Sequence, residues 1–256
     1  MKLEEMESGK KPTEWKRLLL SGVSIEFANA VRRAIISEVE TLAIEDAKIS
    51  DNSSALYDEM LSLRLGLVPI VTPKGEFVRK DKCDCKGAGC HKCTVVLTLK
   101  KKGPGMVYSG DLVSDHTEAK PAFDRIPLTL LNENQAVDIE CIAVLGSGKE
   151  HAKFQPALCT YIQTVTIKVG KNVEKPEELA EICPSGVFIK KEPFVKAPEK
   201  CTLCNLCVEK KGVTVTPNEK EFVFYIESFG QRKVSDIVAE AAETLEAKAK
   251  EFAEKL

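Results

Sequence analysis

An α+β fold is expected for this chain, because strand-like runs and amphipathic helical stretches both stand out in it. β-branched runs at 94–100, 136–146, 162–170 and 221–230 are bounded by turn residues. Helical periodicity appears near the two ends, at 24–40 and 235–256. Between them, most of the ten cysteines gather in two clusters that read as metal-held modules.

The elements follow in order. In "SIEFANAVRRAIISEVE" the residues Ile25, Ala28, Val31, Ile35 and Val39 share one helical face, with Ser24 as cap and Glu26 in the first turn. "LAIEDAKISDNSS" reads as a strand and a turn. "DEMLSLRLGLVPI" reads as a short helix that ends near Gly66, with Pro69 beyond it. Strands at 94–100, 136–146 and 162–170 come next, with loops at "GPG" (103–105) and "GSGKE" (146–150). "KNVEKPEELAEIC" is polar, then weakly helical. The strand in "EFVFYIESFG" leads to a final helix capped by Ser235, with Val238, Leu245, Ala249, Phe252 and Leu256 along one stripe. Such a stripe packs on another helix, in this chain or in a partner.

With 256 residues, 43% apolar and 30% charged, the chain has room for one large domain or two to three small ones. A formal net charge of −2 gives no overall electrostatic footprint for nucleic acid. The N-terminal stretch mixes acids and bases and does not read as a secretory signal. No run approaches the roughly 18 apolar residues of a membrane span. A cytoplasmic protein is expected, where clustered cysteines bind metal or do redox chemistry rather than form disulfides.

The stretch "CTLCNLC" places Cys201, Cys204 and Cys207 at the spacing that opens a ferredoxin-type C-x2-C-x2-C-x3-C-P run. The fourth position is Lys211, so the run is incomplete in its own segment. In two-cluster ferredoxins the fourth cysteine of each run serves the other cluster. An isolated Cys-Pro stands at Cys183–Pro184 and supplies the missing thiolate. Counting back from Cys183 gives Leu179, Pro176 and Val173, none of them a ligand. One [4Fe–4S] site, from Cys183, Cys201, Cys204 and Cys207, is therefore expected, and no second. A zinc site or unrelated buried thiols are the alternatives; the proline after Cys183 favours iron–sulfur.

"DKCDCKGAGCHKC" holds Cys83, Cys85, Cys90 and Cys93. Four thiolates in one short Gly-containing loop suit a closed, tetrahedral structural zinc. His91 is a spare ligand beside a set already complete, and a second iron–sulfur cluster is the rival reading. Cys141 and Cys159 lie in apolar stretches and read as core residues.

Catalytic constellations are sparse. His116 and His151 read as surface residues with no nucleophile in a known pattern beside them. "GSGK" at 146–149 lacks the earlier glycine and the following Ser or Thr of a P-loop. Asp58 and Glu59 are adjacent and point to different faces of a helix.

The segment 27–70, with "ANAVRRAIISEV", "TLAIED", "DNSSALYDE" and "RLGLVP", resembles the signature of RNA polymerase assembly subunits. That family comprises bacterial alpha, the eukaryotic third-subunit group and their archaeal D-type counterparts. The strand and long helix at the C-terminus and the cysteine loop at 83–93 are similar as well, and the ferredoxin-like insertion resembles the archaeal branch. The resemblance implies a discontinuous dimerisation domain over 1–43 and 220–256. It implies an inserted, mostly β domain over 44–167 with the zinc loop, and a ferredoxin-like α+β domain over 168–219. It further implies pairing with subunit L, support of the large catalytic subunits, small subunits N and P nearby, and no catalytic or sequence-specific DNA-reading residues in this chain. The family includes members with ligands for two clusters; this chain matches one set only. The alternative, a single-cluster electron-transfer protein or ferredoxin-fused oxidoreductase subunit, leaves 27–70 and the final helix unexplained.

Overall fold

The first strands of the chain, β1 (Lys2–Gly9) and β2 (Trp15–Ser21), are not foreshadowed by the sequence. β1 is exposed almost throughout, so it carries no buried face to produce an alternating pattern. Helix α1 (Ile25–Ser37) follows, its Phe27 amide donating to Ser24 Oγ at 3.4 Å. The Ser24 side chain also holds the Glu26 carboxyl below the usual range. Val39 is expected on this helix, but α1 stops at Ser37 and Val39 is buried just beyond it. Then come β3 (Glu40–Asn52), α2 (Asp58–Gly66), β4 (Thr94–Lys102), β5 (Gly105–Tyr108), β6 (Leu112–Ser114), β7 (Pro127–Leu131) and β8 (Ala136–Ser147). β9 (Ala157–Val169), the single turn α3 (Leu179–Ile182), β10 (Val213–Ser228) and α4 (Val234–Glu254) complete the chain. The structure, a computed structural model, describes residues 1–10, 12–171, 173, 175–210 and 212–255. Lys211 and Leu256, both named from the sequence, lie outside the described residues.

The mixed α+β architecture expected from the sequence is present, and the chain divides into two units. One comprises residues 1–8, 16–32 and 159–226. Its four-stranded sheet has the order β1-β2-β10-β9. Tyr161 packs against Phe222 and Phe224 on this sheet, with ring centroids 5.6 and 5.4 Å apart. Between β9 and β10 the chain leaves the sheet and returns, and the Gly170 amide donates to Gly212 O at 2.9 Å where it does so. The excursion shares an apolar cluster with the sheet: Val173, Leu179, Val187 and Phe188, with Cys201 and Cys207, pack with Val165 of β9 and Val213 of β10.

The other unit comprises residues 9–15, 33–158 and 227–256. Its main sheet has the order β3-β8-β4-β6. β8 is the central spine, antiparallel to β3 from Glu40↔Ser147 to Asn52↔Val137 and to β4 from Thr94↔Val144 to Lys102↔Ala136. Leu42, Leu97, Leu99 and Ile139 from this sheet join Leu61 and Leu65 of α2 in one core. Each such side chain stabilises the fold by about 1.5–3 kcal/mol, whereas a solvent-screened cross-strand pair such as Lys100–Asp138 adds little, so burial holds the sheet.

α4 begins one residue earlier than its expected cap. Ser235 lies inside the first turn, and Lys233 stands at the cap position without a side-chain bond. The Val234 amide instead donates to Glu14 Oε2 at 3.2 Å, a carboxylate brought in from the N-terminal stretch. No local sequence pattern reveals that cap. Val234, Ile237 and Ala241 are buried, whereas Ala249 and Phe252 of the expected stripe are exposed. The turn before α4 needs Gly230: its φ is +95°, and a Cβ there would meet the Phe123 ring at 2.9 Å.

Candidate metal centres

The first cysteine loop is built from successive tight turns. A 3₁₀ turn at Lys80–Lys82 leads in, and amides of Lys86 and Ala88 donate to the carbonyls of Cys83 and Cys85. Lys86, Gly87 and Gly89 adopt positive φ, which reverses the chain twice within a few residues. The amides of Cys93 and Thr94 both donate to Cys90 O at 2.9 Å, and Thr94 opens β4. The Val78 amide donates to Lys92 O and ties the loop shut at its base.

This folding draws Cys83, Cys85, Cys90 and Cys93 together, all four sulfurs lying within 4.8 Å of one another. The Sγ···Sγ separations are 3.6 Å for 83–90, 3.5 Å for 85–93 and 3.8 Å for 90–93. A tetrahedron with Zn–S of about 2.3 Å has S···S edges of about 3.8 Å, so the four thiols fit a single tetrahedral ion. The Cys90 amide also donates to Cys93 Sγ at 3.4 Å. The thiols are electrostatically unequal. The Gly89 amide, with help from Cys83, brings Cys85 down to about 6, while burial pushes Cys93 up to about 12. Four thiolates this close repel one another unless protons or a cation intervene. His91 is exposed and stays outside the set that the four sulfurs form.

The second set comes from three separate turns. Cys183 follows α3, its amide donating to Leu179 O at 3.1 Å. Cys201 follows a 3₁₀ turn at Pro198–Lys200, and Cys207 lies in another at Leu206–Glu209. Leu203 and Asn205 take positive φ, which coils the segment so that Cys201, Cys204 and Cys207 face one space. Those three and Cys183 line the same pocket, with Val187, Phe188 and Val215 among its apolar walls. Cys201 and Cys207 are buried, Cys183 is half-buried and Cys204 is exposed. Burial raises the Cys207 thiol, and the neighbouring Cys201, Cys183 and Cys204 raise it further. Among the described residues only the first loop draws its sulfurs within 4.8 Å of one another. Val173 and Leu179, which occupy ligand positions of a second run, are buried in the apolar cluster beside this pocket.

Cys141 and Cys159 lie fully within the fold, and burial pushes both thiols up to about 12.

Residues 44–165 match the domain family described as "RNA polymerase Rpb3/RpoA insert domain". Over nearly the whole length, the chain is similar to curated DNA-directed RNA polymerase subunits Rpo3. It is 37% identical to that of Methanosarcina acetivorans over 244 residues, 92% of each chain. It is 38% identical to that of Methanothermobacter thermautotrophicus, over 91% of each, and 36% identical to that of Thermococcus kodakarensis, over 94% of this chain and 93% of the relative. The chain belongs to the Rpo3 family.

The matched insert spans the first thiol loop and excludes the second thiol pocket. Sequence reasoning misses a clamp that seats the first loop. Arg79, four residues before Cys83, pairs with Glu150, with Asp81 at 3.2 Å and with Glu40 at 3.7 Å. Glu150 is drawn below its usual range by Arg79, while burial raises Glu40. No periodicity marks such a clamp, because Glu40 and Glu150 are separated from Arg79 by long stretches of chain. No helix among the described residues is long and apolar enough to cross a membrane.

Proposed function

We propose that this chain is a non-catalytic assembly subunit of archaeal DNA-directed RNA polymerase. It pairs with subunit L through a dimerisation domain over 1–43 and 220–256, and the pair forms the platform for the large catalytic subunits, with small subunits N and P nearby. The inserted domain over 44–167 and the ferredoxin-like domain over 168–219 present further docking surfaces. The observation that carries this reading is similarity to Rpo3 subunits over more than nine-tenths of both chains. A ferredoxin-fused oxidoreductase would account for a short cysteine segment and not for a match of that extent.

In this reading Cys83, Cys85, Cys90 and Cys93 hold a structural zinc, supported by the tetrahedral spacing of their sulfurs. Cys183, Cys201, Cys204 and Cys207 hold one [4Fe–4S] cluster, supported by the Cys183–Pro184 pair and by the one pocket that all four line. A cubane stands between its ligands, so its sulfurs are spaced more widely than those around a single ion. When bound, each group supplies thiolate cross-links that stiffen the segment around it, most of all the 83–93 loop with its little apolar content. The chain's own residues orient the thiols, exclude water with Val187 and Phe188, and seat the zinc loop through Arg79. The site of action is the cytoplasm, and the chain reads no DNA sequence.

The deciding experiment is affinity purification of the tagged chain from its native host under anaerobic conditions. The expected result is co-purification of polymerase subunits with this chain at equal stoichiometry. Recovery with a dehydrogenase and without polymerase subunits would overturn the reading.

A further inference from the structure

The Arg79 clamp reaches beyond the first thiol loop. Its three nitrogens serve three carboxylates: Nε faces Asp81 at 3.2 Å, Nη2 faces Glu150, and Nη1 faces Glu40 at 3.7 Å. Asp81 belongs to the turn that leads into the loop, Glu150 lies just after β8, and Glu40 opens β3. The Arg79 side chain is only 19% exposed, so solvent screens these pairs less than those on the open surface.

Glu40 is held a second time, by a different element. Its backbone amide donates to Glu240 Oε1 at 3.2 Å. Glu240 lies in α4, and its other carboxylate oxygen pairs with Arg232, whose side chain is almost wholly buried. A carboxylate fixed in this way by a guanidinium has one orientation to offer, so the Glu40 amide is held in register with α4. Glu40 thus has its side chain tied to the thiol loop and its main chain tied to the final helix. It also stands where the proposed dimerisation domain passes into the inserted domain.

We infer that Glu40 couples metal retention in the 83–93 loop to the seating of α4, with Arg79 and Glu240 as positioning residues on its two sides. The inference rests on the proposed zinc site and adds a regulation to it. Loosening α4 near Glu240 weakens the loop's hold on zinc, and loss of zinc loosens α4 there, because coupling between two sites is reciprocal.

The test is the zinc affinity of the full-length chain, measured by competition with a chromophoric chelator. Arg79→Gln, Glu40→Gln and Glu240→Ala are each expected to bind zinc more weakly by about threefold or more, although none alters a thiol. Arg79→Gln combined with Glu240→Ala should bind no more weakly than the worse of the two alone, since both cut the same path. Effects that multiply would reveal two separate destabilisations and overturn the inference. Lys248→Ala removes the Lys248–Glu38 pair, a tie between α4 and the same stretch that bypasses Glu40, and is expected to keep wild-type affinity. Equal weakening by that variant would overturn the route through Glu40. Hydrogen exchange reads the reverse direction: chelating zinc from the wild type should speed exchange in the peptides that contain Glu40 and Glu240. Unchanged exchange in both, or wild-type affinity in Glu40→Gln, would overturn the inference and leave the zinc site standing. Should Glu240→Ala fail to fold, Glu40→Gln and the exchange measurement decide. A wild-type chain that binds no zinc would instead overturn the proposed zinc site, and this inference with it.

Discussion

Individual side chains divide sharply between those that fill the core and those that wait for a ligand. Leu61 and Leu65 have no exposed surface, and Leu→Ala at either position is expected to cost about 2–5 kcal/mol, read as a shift in the denaturant midpoint. The thiols are graded in the same way. Cys141 and Cys159, raised to about 12 by burial, stay protonated at pH 8, while Cys85, lowered to about 6, is a thiolate there. In protein stripped of metal, alkylation at pH 8 mapped by mass spectrometry should therefore label Cys85 well before Cys141 or Cys159. Equal rates would show that burial does not govern these thiols. At the second pocket, Cys183→Ser removes the one proposed ligand that comes from outside 201–207. It is expected to expose 168–219 to proteolysis while the proposed pairing with subunit L persists, and an unchanged digestion pattern would contradict that.

The elements show where sequence suffices and where it fails. β4 and β8 are legible because each is an apolar, β-branched run flanked by turns, and α2 because Gly66 and Pro69 punctuate its end. The four-thiol cluster at 83–93 is legible too, since its spacing is a local property of the chain. β1 is not, because an exposed strand has no alternation to detect. The cap of α4 escapes for a different reason. Ser235 has the right chemistry, but Glu14 reaches the first turn from more than two hundred residues away. Glu14→Ala should therefore destabilise α4 by about 0.5–2 kcal/mol, whereas Ser235→Ala should be nearly neutral. Matched thermal melts of the two variants separate these outcomes. The Arg79 clamp is illegible on the same grounds: its partners Glu40 and Glu150 lie far apart in the chain and acquire meaning only in three dimensions.

On the scale of the whole molecule, the two thiol sites belong to different units, so loss of one of the two proposed metals is expected to leave the other site intact. Chelation of zinc is expected to loosen 79–93 and leave the visible absorbance of an iron–sulfur site unchanged; parallel loss of both signals would refute this independence. The excursion that carries the second site also has a narrow neck. Gly170 and Gly212 are hydrogen-bonded neighbours, and the strands on either side of them pair in one sheet. Topologically, then, the proposed iron–sulfur module is a pendant on a hairpin. A chain with 171–211 replaced by a two-residue reversal is expected to fold and to lose the visible absorbance of the proposed cluster, at the cost of uncovering Val165 and Val213.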